Sequence, residues 1–154
     1  MNRLAVIGST GSIGRSTLAV AAAHPDRVRV VALGAGENAG RFADQIERFN
    51  PALATMATDA ALQALHADLQ ARGVSRLPAL KAGAEGLLAI ATHADADTVL
   101  FASSGTASLD AVLAAIRAGK RIALANKEIL VLAGALVMEG GRRQGRRGLP
   151  VGRE

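Results

Sequence analysis

The 154-residue chain contains no cysteine, no tryptophan and no tyrosine, and only three phenylalanines. Without thiols it has no disulfide scaffold, thiolate zinc site, iron–sulfur cluster or cysteine nucleophile. A cysteine-free chain also fits a reducing compartment. With aromatics at 2%, the 50% of hydrophobic residues must build a core from Ala, Val, Leu and Ile. That apolar share excludes a mainly disordered chain, and the length suits one domain. Long apolar runs are missing as well. Leu4 to Ile7 is ended by Gly8 and is too short for the apolar part of a signal peptide. Ile129 to Met138 is ten residues interrupted by Gly134, where a membrane span needs about 20. The expectation is a soluble, cytoplasmic protein without a membrane partner. The 17 glycines show no three-residue period, which excludes a collagen-like chain.

Charge is scarce over most of the length. The net charge is +5, and Gly140 to Glu154 carries +4 of it through Arg142, Arg143, Arg146, Arg147 and Arg153 against Glu154. The first 139 residues are therefore close to neutral. A basic nucleic-acid groove spread over the fold is not expected, and a solvated, poorly ordered basic tail is the simpler reading of the arginines.

Short aliphatic runs alternate with Ala-rich helical stretches. Strands are expected at 3–7, 28–33, 53–56, 77–80, 98–102 and 121–125, with one more beginning near 149. Helices are expected at 12–23, 38–49, 60–71, 82–92, 108–118 and 127–138. Pro25 stops the first helix, since proline cannot continue the hydrogen-bond ladder. Phe42, Ile46 and Phe49 recur at helical spacing, as do Leu62, Leu65 and Leu69, and Gly73 follows as a helix-ending glycine. Strand–helix alternation brings each strand back in parallel. Strands that are apolar throughout are covered on both sides. The expected class is α/β, a doubly wound Rossmann-like parallel sheet with helices on both faces.

Four loops at expected strand ends could carry chemistry. The first, Gly8-Ser9-Thr10-Gly11-Ser12-Ile13-Gly14, opens the first helix. Gly8 permits a tight exit, Gly11 lets backbone approach a phosphate, and Gly14 lets the helix lie close to the sheet. Unpaired amides and the positive dipole end there favour a diphosphate. The alternative is a glycine turn with no ligand. The second, Gly34-Ala35-Gly36-Glu37-Asn38, stands where dinucleotide folds meet the adenosine ribose. Glu37 could accept from ribose hydroxyls and Arg41 could reach a 2′-phosphate, which leaves NAD against NADP open. The plainer reading is a turn followed by an Asn helix cap. The third, Ser103-Ser104-Gly105-Thr106, either leaves room for a ligand or starts a helix. The fourth, Asn126-Lys127-Glu128, offers a cation and two polar groups at a strand end, or else a capped helix start. His24, His66 and His93 are scattered without metal-ligand spacing, and Asp95 and Asp97 read as a solvated loop.

Together, GSTGSIG after the first strand, then GEN, then IRAGKRIALANKEILV, resemble the 1-deoxy-D-xylulose 5-phosphate reductoisomerase family over nearly the whole chain. The resemblance implies conversion of 1-deoxy-D-xylulose 5-phosphate to 2-C-methyl-D-erythritol 4-phosphate, a step of non-mevalonate isoprenoid biosynthesis. It implies NADPH and a divalent metal, Mg or Mn, as cofactors, a sugar phosphate substrate, and a homodimer. Cofactor contacts carry over to Thr10, Gly11, Ser12, Ile13, Gly36, Asn38, Asn126 and Glu128, and the substrate-contacting lysine to Lys127.

Some positions depart from the family. Glu37 stands where a lysine is common, and a carboxylate there would repel a 2′-phosphate. Gly152 stands where a metal-binding Asp belongs and Arg153 where a substrate-binding Ser belongs. Glu154 falls on a metal-binding position, but hard cations need several oxygen ligands, so alone it does not make a site. The expected organisation is an NADPH-binding domain over 1–139 and a Gly/Arg-rich segment over 140–154, with the catalytic domain absent and the isolated chain inactive. The competing expectation is a non-catalytic nucleotide-binding or interaction module that uses its basic tail. A different dehydrogenase family on the same fold is a third.

Overall fold

Apolar runs and helical stretches follow one another as the alternation predicts. The computed structural model describes residues 1–104, 106–125, 127–129, 131 and 149–150. Strand β1 (Asn2–Ile7) leads into helix α1 (Ser12–Ala23), then β2 (Val28–Gly34), α2 (Ala39–Phe49), β3 (Leu53–Met56) and α3 (Asp59–Ala71). The second half runs β4 (Ala79–Ala82), α4 (Gly83–Ala91), β5 (Thr98–Phe101), α5 (Leu109–Arg117), β6 (Arg121–Leu124) and β7 (Leu149–Pro150). Lys127 to Ile129 are helical. The rest of the helix expected to Met138, and the arginines beyond it, lie outside the described residues.

Local signals account for the boundaries. The Asn38 side chain accepts from the Arg41 amide and caps α2, and the Thr58 hydroxyl accepts from the Ala61 amide and caps α3. Such caps contribute about 1 kcal/mol each by satisfying an end amide that the helix cannot. Helix α2 ends at Asn50 in left-handed backbone, followed by Pro51. Several expected boundaries shift by one or two residues. The fourth strand begins at Ala79 rather than 77, after Pro78, whose ring removes a ladder donor. The helix expected from Ser108 begins at Leu109.

Among the described residues all seven strands are parallel, in the order β4-β3-β2-β1-β5-β6-β7. From β1 the chain steps outward to the β4 edge, then returns to pair β5 with the other side of β1. Helix α4 makes that return, packing across β3, β2 and β1 on the way. Residues alternate along the strands between two cores. Leu4, Val6, Leu33 and Met56 meet Leu18 of α1, Phe42 and Ile46 of α2, and Leu65 and Leu69 of α3. Ala5, Ile7, Val99 and Phe101 meet Ile90 of α4 and Val112 and Ile116 of α5. Helices thus cover both faces, which is why the strands are apolar throughout.

Ion pairs brace the exterior. Arg72, after α3, binds Asp44 and Glu47 of α2 at 2.6 and 2.9 Å and Asp68 at 2.9 Å. These bonds raise its pKa further. At the amino ends of the strands, Arg3 donates to Asp97 from its side chain and its backbone amide, at 3.0–3.1 Å. Those bonds lower the Asp97 pKa from 3.8 to about 2.

Candidate functional site

The direction change in strand order leaves a crevice between the carboxyl ends of β1 and β5. Open parallel sheets take ligands at such switch points. A cavity of about 730 Å³ lies there. Every strand from β1 to β6 contributes residues at or just past its carboxyl end, among them Gly8, Gly34, Met56, Gly83, Ala102 and Ala125.

The glycines of the first loop divide by role. Gly8 has φ +88°, and a Cβ there would stand 2.5 Å from the Ser103 nitrogen and 2.6 Å from the Ala102 carbonyl carbon. The fold itself therefore requires glycine where β1 and β5 leave the sheet side by side. Gly14 is likewise required, because a Cβ would overlap the backbone of Gly8 and Ser9. Gly11 is different. Its backbone is ordinary extended chain at φ −74° and ψ 174°, and a Cβ would meet only the Gly8 oxygen at 3.6 Å. Nothing in the fold demands glycine there, so the open space in front of it is available to a ligand.

Helix α1 starts behind Gly11 with no side-chain cap and no acidic residue in its first turn. Among the described residues, the amides of Ser12, Ile13 and Gly14 have no hydrogen-bond partner. These donors, together with the helix dipole, favour an anion of phosphate type. The loop before them is fixed, since the Gly8 and Ser9 amides both donate to the Gly34 carbonyl at 2.9 Å.

Of the residues singled out from sequence, Gly11, Ser12, Ile13, Gly36, Lys127 and Glu128 line the cavity together. Lys127 and Glu128 are exposed at its rim. Thr10 and Asn38 do not line it, and the Asn38 oxygen serves as the α2 cap, at 3.1 Å from the Arg41 amide. Gly36 has no neighbour within 4 Å of a Cβ, and its carbonyl accepts from the Ala57 amide at 3.0 Å. Ser103 and Ser104 line the cavity and cap no helix, because α5 starts five residues later. Asn126, Gly152, Arg153 and Glu154 lie outside the described residues. No group of three His, Cys, Asp or Glu side chains that could hold a metal occurs among the described residues.

Sequence reasoning missed Met56 and Ala57 at the end of β3, and two further contributions. Gly83, Ala84 and Leu87 of α4 also line the cavity, and only the crossover path places them there. Gln45 of α2 is buried and donates to the Ser9 carbonyl at 2.9 Å. Its position, three residues after Phe42 and four before Phe49, already set it on the apolar stripe. A second, polar cavity of about 490 Å³ lies at the amino ends, near Asn2, Asp97 and Lys120. The Lys120 ammonium there is engaged by the His93 and Ala96 carbonyls at 2.7 and 2.8 Å.

The sequence profile of the 1-deoxy-D-xylulose 5-phosphate reductoisomerase family matches residues 4–134. The protein of that name from Geotalea uraniireducens (strain Rf4) is 49% identical over 154 residues, covering 100% of this chain and 39% of the relative. A crystal structure of DOX-P reductoisomerase in complex with NADPH, fosmidomycin and magnesium superposes with a TM-score of 0.88 at 38% identity. It covers 97% of this chain and 36% of that one. The enzyme from Zymomonas mobilis in complex with NADPH gives a TM-score of 0.88 at 40% identity, over 98% of this chain and 38% of that one. The chain spans about two fifths of the length of these relatives.

Proposed function

The chain belongs to the 1-deoxy-D-xylulose 5-phosphate reductoisomerase family, and from that premise we propose that residues 1–139 are the domain with which such an enzyme holds NADPH. The observation that carries this reading is the uncapped start of α1, with unpartnered amides, beside a 730 Å³ cavity at the switch point. The residues present fit the cofactor. Thr10, Gly11, Ser12 and Ile13 hold the diphosphate through the loop and first-turn amides. Gly36 and Asn38 border the adenosine ribose, and Asn126 and Glu128 the nicotinamide half. Two relatives of solved structure contain NADPH, which supports the assignment.

Bound there, NADPH supplies a hydride for reduction of a carbonyl carbon. The chain's own part is positional. The amides fix the diphosphate, the helix dipole offsets its charge, and the apolar walls from Met56, Ala57 and Leu87 exclude water from one side. Lys127, at the rim, offers an ammonium to a phosphate or carbonyl oxygen of the substrate. In the family's reaction that substrate is 1-deoxy-D-xylulose 5-phosphate and the product 2-C-methyl-D-erythritol 4-phosphate. We assign the chain to that reaction, within a cytoplasmic homodimer, as its cofactor-binding part. The divalent metal of that reaction has no cluster of ligands among the described residues, so no step here runs through it. The segment 140–154 follows the domain, and from it β7 returns to the sheet edge beside β6.

The test is an equilibrium titration followed by the fluorescence of the reduced nicotinamide, which no Trp or Tyr of this chain overlaps. Saturable binding of NADPH, tighter than that of NADH, supports the reading. No saturation by either nucleotide refutes it, and equal or tighter NADH binding assigns the ribose site to Glu37 as an NAD-type acceptor.

A further inference from the structure

Ser9 is buried completely, and its backbone is tied on both sides. Its amide donates to the Gly34 carbonyl at the end of β2, at 2.9 Å. Its carbonyl accepts from Nε2 of Gln45 in α2, also at 2.9 Å, across 36 residues of sequence. No cis peptide bond occurs among the described residues. In a planar trans peptide the carbonyl and the following amide point in opposite directions. Holding the Ser9 carbonyl toward α2 therefore holds the Thr10 amide away from α2. It also sets the plane from which Gly11 and the first turn of α1 continue.

We propose that Gln45 is a positioning residue for the diphosphate-binding loop, acting through the Ser9 carbonyl and not by touching the cofactor. The inference rests on the NADPH-binding reading and adds to it. A second observation separates this role from plain packing. Gln45 stands on the apolar stripe of α2 between Phe42 and Ile46, both buried. Its Oε1 and the Ser9 hydroxyl are buried with no hydrogen-bond partner among the described residues. Burying unpaired polar atoms destabilises a fold, so a site filled for stability alone would hold Leu or Met. Glutamine there accepts that cost for the one bond it makes to the loop. Breaks of a local rule of this kind gather where function constrains the residue.

The decisive variant is Gln45→Met, which keeps the side-chain length and removes the donor. Its Tm should stay within a few degrees of the parent chain, because removing the unpaired Oε1 offsets part of the cost of leaving the buried Ser9 carbonyl without its donor. Its affinity for NADPH should fall about three- to tenfold, as expected for one neutral hydrogen bond. Its affinity for 2′-AMP, which lacks the diphosphate, should be unchanged. A second variant, Gln45→Glu, should bind NADP⁺ weakly at alkaline pH. It should recover toward the parent as the pH falls and the carboxylic acid gains a proton to donate. Unaltered NADPH binding by Gln45→Met overturns the proposal. So does a joint loss of NADPH binding, 2′-AMP binding and thermal stability, which is the mark of a packing role. If the Met variant does not fold, the absence of acid recovery in the Glu variant overturns it. Failure of the parent chain itself to bind NADPH removes the underlying reading instead, and the inference with it.

Discussion

Gly8 and Gly11 belong to the same loop and should respond to the same substitution in opposite ways. In Gly8→Ala the new Cβ meets backbone at 2.5 and 2.6 Å, and φ +88° is a conformation that L-residues seldom adopt. The left-handed backbone costs about 1–2 kcal/mol. Forcing β5 and its exit to yield costs about 1–3 kcal/mol more. A loss of about 2–5 kcal/mol lowers the Tm of a domain this size by about 4–20 °C. In Gly11→Ala the backbone is already extended and the nearest heavy atom is 3.6 Å from the Cβ. The folded chain loses little, and reduced freedom of the unfolded chain offsets part of that, by about 0.4–1 kcal/mol. Its Tm should stay within a few degrees of the parent, yet the methyl group occupies the approach to the first-turn amides. NADPH affinity should therefore fall at least about tenfold, equivalent to about 1.4 kcal/mol. The assay is a thermal melt and an NADPH titration on each variant. Gly11→Ala binding as tightly as the parent would refute the placement of the diphosphate on this loop. Gly8→Ala melting with the parent would refute the close approach of β1 and β5.

Arg72 holds carboxylates from both α2 and α3. Arg72→Met should lower the Tm, and the difference should shrink in melts at about 0.5 M salt, because exposed pairs are screened. An equal difference at all salt concentrations would assign the effect to packing by the side-chain stem. Asp97 has its folded pKa lowered to about 2 by Arg3. A depressed carboxyl pKa adds stability that is complete above the unfolded value of about 4 and is lost as pH falls through the folded value. The urea midpoint of the parent should exceed that of Asp97→Asn at pH above about 4. The two should converge as the pH approaches about 2. A gap that persists in acid would contradict the ion-pair origin.

Much of this architecture could be read from residue order. Continuous apolar strands announced a sheet covered on both faces, and the paired cores around Leu4/Val6 and Ala5/Ile7 bear that out. Helix boundaries followed from Pro25, the Asn38 cap and Gly73, whereas the Thr58 cap of α3 emerged only from the structure. Strand order was not legible. Nothing in the residues of α4 says that it crosses three strands to deliver β5 to the far side of β1, although that crossing creates the crevice. The site showed the same division. Gly8, Gly11 and Gly14 were visible as a motif, but only the packing separates the two that the sheet requires from the one it does not. Asn38 could be read as cap or ligand contact, and its oxygen is in fact used by the Arg41 amide. Gln45 was hidden because its partner is a backbone carbonyl 36 positions away, which no local pattern encodes.

The most direct test of the central claim is a nitrogen–proton correlation spectrum of the labelled chain during NADPH addition. The account predicts saturable shifts concentrated on the amides of Thr10, Gly11, Ser12 and Ile13, with smaller ones at Gly36 and Asn38. Saturation with those amides unmoved, or with shifts confined to the amino ends of the strands around Asn2 and Lys120, would contradict it.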